Sequence, residues 1–310
     1  MLKKSYVIIA VIAVLITTGI ALADLSNGLG NNKGKDNSMG NGFTGGFNSV
    51  HEDMLKAYQK EGGEVNWILP GYRELDPEIF GDVENPLGFE EGIGVPVNAR
   101  ENDSEGNWTT TSFPTPFSDN YDPIEGSFDT WMVDKTPVDQ YDGSTPDYAQ
   151  GVFKFTSPDD SMEYTIVLKH VLPNNPESAH PFLGGVVIDG WLHGKTSVGT
   201  RLMPTVYTYG SFWGMAELYV DNGTEEKCFD NVMLHVMTTE DTRNEDYELM
   251  IDSELEEKRK TEGLGIDTHV MVPPGAVPED AQYEIMPGMK QPFLHIMYED
   301  TDLRGTEIFD

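Results

Sequence analysis

A single cysteine, Cys228, stands in 310 residues, so no intramolecular disulfide can form and stability must come from a hydrophobic core or a bound ion. Basic residues are scarce as well: 20 Lys and Arg face 53 Asp and Glu, a formal charge of −33. That balance excludes nucleic acid and anionic lipid as natural partners and suits salty surroundings, divalent ions or a basic protein. Beyond residue 23 no apolar run is long enough to span a membrane. The Gly-x-Ser-x-Gly elbow, the His-Glu-x-x-His helix and paired cysteines are all missing, which leaves the hydrolase and zincin templates without support. A glycosidase carboxylate pair has no local spacing to look for and stays open.

The first residues carry Lys3 and Lys4, an apolar run from Tyr6 to Ile16 and the small-x-small triplet Ala21-Leu22-Ala23. This is the layout of a signal peptide over 1–23, with retention as an anchor as the alternative, and it places the chain outside the cytoplasm: secreted, periplasmic or on the cell surface. Residues 24–50 are dominated by Gly and Asn and read as a flexible linker. Residues 51–147 are expected to form a loop-rich region of the same domain: a short amphipathic helix over 51–60, then prolines too frequent for long helices.

From residue 148 to 310 the pattern is β-rich. Val152–Thr156 and Met162–Leu172 flank Ser-Pro-Asp-Asp-Ser and predict a hairpin. Val186–His193, Thr205–Tyr209, Ser211–Val220, Phe229–Thr238, Thr268–Val272 and Pro292–Glu299 follow as strands, with one charged helix over Tyr247–Thr261. Many short strands between loops argue an all-β antiparallel sandwich or barrel with one or two short helices.

Three of these strands share a motif: His235-Val236-Met237, His269-Val270-Met271 and His295-Ile296-Met297. With 7 His and 14 Met, composition alone gives about 0.3 such spacings. Side chains two apart on a strand share a face, so each His sits beside its Met, and Met233 joins the first pair. The other face (Val232, Leu234, Val236; Val270, Val272; Leu294, Ile296, Tyr298) is core. A His/Met face in open water would carry Thr, Lys or Glu instead, so it is expected to be covered or to line a cavity. Imidazole and thioether are copper ligands, the thioether favouring soft Cu(I). The spacing resembles the His-x-Met pairs of periplasmic copper chaperones and copper-resistance proteins, over these three tripeptides. The alternative is packing, with Met filling irregular space and His a hydrogen-bonded core residue.

A second candidate surface combines Asp189, Trp191 and His193 with Trp213, an aromatic and acidic set suited to carbohydrate or another small ligand. His170 alternates with Ile166 and Leu168 and is expected in the core; His180 falls in a loop. Acid runs at 119–122 and 240–246 could take Ca²⁺, less readily than the His/Met face takes copper, since neither has the spacing of an EF-hand loop. Asn102, Asn107 and Asn222 head glycosylation sequons. The expectation is a secreted acidic β protein that binds a metal ion, copper first, rather than turning over a substrate. A carbohydrate-binding or carbohydrate-active protein and a structural cell-envelope protein are the alternatives.

Overall fold

The computed structural model describes residues 53–305 except 88–94, 112–113, 136–144, 174–183 and 197. The expected signal peptide and linker and His180 lie outside the described residues. The molecule is built on one curled antiparallel sheet, a half-barrel, with two helices. Its twelve strands are β1 (Asp53–Gln59), β2 (Val65–Ile68), β5 (Tyr121–Ile124), β6 (Gly126–Asp134), β7 (Tyr148–Thr156), β8 (Glu163–Val171), β9 (Val186–Leu192), β10 (Val206–Asp221), β11 (Glu226–Glu240), β12 (Ile266–Val272), β15 (Leu294–Tyr298) and β16 (Asp302–Gly305). Their order is β16-β1-β6-β7-β8-β10-β11-β12-β15-β2-β5, with β9 paired to the first part of β10. Two small hairpins lie apart, β3 (Arg100–Asn102) with β4 (Trp108–Thr111) and β13 (Glu284–Met286) with β14 (Met289–Lys290).

Four strands of this sheet come from the loop-rich first part of the chain. The helix expected over 51–60 is the strand β1: Leu55, Ala57 and Gln59 are buried while Lys56 and Tyr58 are not, a period of two rather than 3.6. The hairpin of β7 and β8 is present, its turn set by Asp160 at φ +56° and by Asp159, which accepts hydrogen bonds from Ser157 and Ser161. The two strands expected over 205–220 are one, β10. Gly210 inside it is not a turn: a Cβ there would lie 2.6 Å from Leu55 and 2.8 Å from the Met132 sulfur, so glycine lets two strand layers approach. The helix expected over 247–261 begins at Asp252. It is α2 (Asp252–Thr261), and the other is the single turn α1 (Pro77–Phe80).

Curling gives the sheet an inside and an outside. Leu55, Trp67, Phe128, Phe153, Ile166, Leu218, Val236, Ile296 and Tyr298 fill the inside. Tyr298 joins the two walls by packing on Phe128 and donating its hydroxyl to the Lys154 carbonyl, 3.0 Å away. Over the outside of β11, β12 and β15 lies a second layer in which Leu75, Phe80, Trp108, Phe117, Leu249 and Leu255 cluster with Met237 and Met271. Asp76 ties this layer together: its carboxylate accepts the backbone N–H of Glu78 in α1 and of Asp252 in α2.

Candidate functional site: a buried imidazole and thioether layer

The three His-x-Met strands are neighbours, in register. His235 lies opposite Met271 and Met271 opposite His295; one row along, Met237 lies opposite His269 and His269 opposite Met297. Directly paired residues share a face with Cβ atoms about 4.5–5.5 Å apart, so the six side chains form a checkerboard on the outside of the sheet. Val236, Val270 and Ile296 make the row behind them, facing the inner core. The covering layer buries His269, His295, Met237, Met271 and Met297. His235 stays half-buried at the margin, its ring stacked on Trp213 with centroids 4.5 Å apart.

A fourth imidazole enters from a different strand. His193 follows the end of β9 with φ +64°, a left-handed turn that directs the chain into the covering layer and buries the ring. Gly199 makes room for it: its φ is +76°, and a Cβ there would stand 2.7 Å from the imidazole. His193 Nε2 rests 3.1 Å from the Met237 sulfur.

The hydrogen bonds fix where the protons are. His193 Nδ1 faces the Thr200 carbonyl at 3.0 Å, His235 Nδ1 the Phe212 carbonyl at 3.0 Å and His295 Nδ1 the Pro116 carbonyl at 2.7 Å. A carbonyl only accepts, so in each ring the proton is on Nδ1. Burial, which penalises the imidazolium, pushes His193 down to about 3 and His235 and His295 to about 4, so at neutral pH each ring has a bare Nε2. The His295 Nε2 lone pair takes the Nδ1 proton of His269 at 3.1 Å. His269 is thereby left with an unprotonated Nε2, buried and without a hydrogen-bond partner. Desolvation, then the neighbouring His295, Arg243, His193 and His235, hold this ring well below the usual imidazole range. Between His193 Nε2 and the Met237 sulfur there is equally no hydrogen to share, and two lone pairs face each other.

Compared with known proteins, the chain matches no family model, no curated protein and no solved structure. What it does is read from the site itself.

Among the described residues no three His, Cys, Asp or Glu side chains are disposed to hold a metal by themselves. A soft ion here would need the thioethers. His193 Nε2 and the Met237 sulfur face each other, and His269 is the register partner of Met237. Met271 and His235 adjoin them. Met297 is engaged elsewhere: Arg243 Nε donates to its sulfur at 3.2 Å and Tyr247 approaches it at 3.6 Å. Arg243 is itself held by the Tyr247 and Ser118 carbonyls. Behind it, burial raises Asp267 well above the carboxylate range and also raises Glu299, and the two carboxyl groups interact with each other.

The other sequence candidates scatter. Asp189 and Trp191 are exposed at the surface, where Trp191 meets Tyr207 edge-on at 5.5 Å and Arg259 at 5.0 Å, while Asp189 accepts the Tyr207 hydroxyl. Trp213 lies apart from them against His235, and His193 turns inward to the imidazoles. Met233 is half-buried opposite Met215. The acid runs serve internal contacts: Asp119 accepts the Leu249 N–H, Glu240 pairs with Arg259 and Asp241 with Lys258. His170, expected in the core, is exposed. The pairing of β8 with β10 slips by one between Leu168 and His170, so Lys169 is a bulge and the alternation inverts. No helix among the described residues is long and apolar enough to cross a membrane.

Proposed function

We propose that this is an exported acidic β protein that binds Cu(I) in the layer between its sheet and the covering segments, through His193, Met237 and His269, with Met271 and His235 adjoining. The observation that carries this reading is the bare, buried Nε2 of His269, whose register partner Met237 has its sulfur against the bare Nε2 of His193. Buried polar atoms are ordinarily satisfied, and one left open costs about 1–3 kcal/mol. His193 and His235 have the Nδ1–H held by a backbone carbonyl and Nε2 left bare, the arrangement that orients a metal-ligating imidazole; His269 has its Nδ1–H held by His295 instead. The donor set is neutral and soft, and Arg243 stands nearby, so a monovalent ion is favoured over Cu²⁺ or Ca²⁺; calcium in addition needs six or more oxygens. Holding the ion without turnover is the role that fits a closed donor set.

The test is titration of the metal-free protein with Cu(I) under reducing conditions against a chromogenic chelator. One equivalent should bind tightly, and His269→Ala and His193→Ala should each weaken it at least tenfold. Binding unchanged in both variants would overturn the reading.

A second reading draws on Trp191, which keeps 50% of its exposure beside Tyr207, Asp189 and Arg259 and so offers a ring edge and polar partners to a sugar. It predicts glycan binding lost in Trp191→Ala and indifferent to His269→Ala.

A further inference from the structure

The His/Met face does not end at the buried cluster. Towards the open end of the sheet, Trp213 on β10 pairs with His235 on β11, and in the next row out Met215 pairs on one side with Met233 and on the other with His170. The bulge at Lys169 that inverts β8 is what brings His170 onto this face; without it Lys169 would take the place. Burial falls off in order along the face. Met271 is buried, His235 and Trp213 are half-buried, Met215 and Met233 are half-buried, and His170 is exposed. Lys169, the cation nearest in sequence, is neutralised by Glu217 at 2.9 Å and Asp230 at 3.2 Å, so it leaves no strong positive barrier at the entrance.

We infer that His170, Met215 and Met233 form an outer Cu(I) station that loads the buried site by way of His235. This rests on the Cu(I) reading above. Directly paired side chains stand about 4.5–5.5 Å apart at Cβ, and successive rows on one face about 7 Å apart along the strand, within reach of the long flexible Met side chain. The ion passes by ligand exchange, each imidazole or thioether replaced by the next, and keeps its charge and oxidation state throughout. The outer station would hold the ion weakly, being half in water. The inner one would hold it tightly, being dry.

The experiment mixes the metal-free full chain with a Cu(I)–bicinchoninate complex in a stopped-flow instrument and follows the loss of the complex's colour. In the variant carrying His170→Ala, Met215→Leu and Met233→Leu the transfer rate should fall at least tenfold while the equilibrium end point stays that of the unaltered protein. His170→Ala alone, at an exposed position, should slow transfer in the same direction and guards against misfolding of the triple variant. Rates equal to the unaltered protein's in both variants would remove the outer station and leave the buried site standing. A lowered end point in the triple variant, with its melting temperature unchanged, would place these residues in the binding set itself and also overturn the relay. No uptake by the unaltered protein would remove station and site together.

Discussion

β12, β15 and the last part of β11 bury both of their faces, yet the two are chemically unlike. Inside are Val236, Val270, Leu294 and Ile296, hydrocarbon against hydrocarbon. Outside are Met237, His269, Met271 and His295, equally buried but rich in lone pairs, with His235 half-buried at their margin. The inner row shows that branched aliphatics suffice to bury this sheet, so packing alone does not call for the imidazoles of the outer face, where His235 and His295 donate to backbone carbonyls and His269 to His295. The outer face instead carries His269 and His295 buried and neutral, with the Nε2 of His269 unsatisfied, which is the cost the proposed ion would offset.

Acid should separate the faces most strongly. His193 and His295 have folded values of about 3 and about 4, below the ordinary 6.5, so their contribution to stability is complete above pH 6.5 and is lost as the pH falls towards those values. At about 1.4 kcal/mol per pH unit for each ring, two units remove on the order of 5 kcal/mol, enough to unfold a domain of ordinary stability. Asp267 and Glu299 run the opposite way: their raised values contribute most at low pH and lose that contribution as the pH rises through them, which blunts the acid effect. Denaturant melts of the metal-free protein between pH 7.5 and 4.5 check this, and a flat profile would mean that the imidazoles are hydrated.

On the inner face Ile296→Ala should cost about 2–5 kcal/mol in the same melts while Cu(I) affinity, measured above the folding threshold, stays put. Coupled losses would show that the two faces are one unit. Gly199→Ala introduces a Cβ 2.7 Å from the His193 ring at a positive φ and should cost about 1–2 kcal/mol, together with a fall in Cu(I) affinity as the ring is displaced. The smallest change in stability and the sharpest contrast belongs to Met237→Leu. It conserves volume and should cost less than about 1.5 kcal/mol, yet weaken Cu(I) at least tenfold. A variant that binds normally would make Met237 a packing residue.

Which parts of this were legible beforehand follows from the range of the interactions. The β7–β8 hairpin, the separation of aliphatic from His/Met faces and the covering of the latter were readable because strand alternation is local. His51–Lys60 misled because a short stretch with few apolar positions satisfies both periods. His170 misled for a different reason: the bulge at Lys169 shifts alternation by one, and nothing in the local pattern announces it. His193 was noticed, but with Asp189 and Trp191, since a strand face was assumed to continue. The left-handed turn at its end sends it to the opposite neighbours, and the signal available was the pair of glycines that follow it, Gly194 and Gly199.

Composition and local pattern by themselves determined an acidic β protein without disulfides, carrying three His-Met pairs backed by hydrocarbon. Only the tertiary structure decided that the three strands are adjacent and in register, that His193 joins them, that Arg243 draws Met297 away and that Asp267 and Glu299 lie behind. The reason is physical. Side-chain direction along a strand is set by its own backbone, whereas strand order, ring tautomers and shared protons depend on partners distant in sequence, 179 residues apart for His295 and the Pro116 carbonyl.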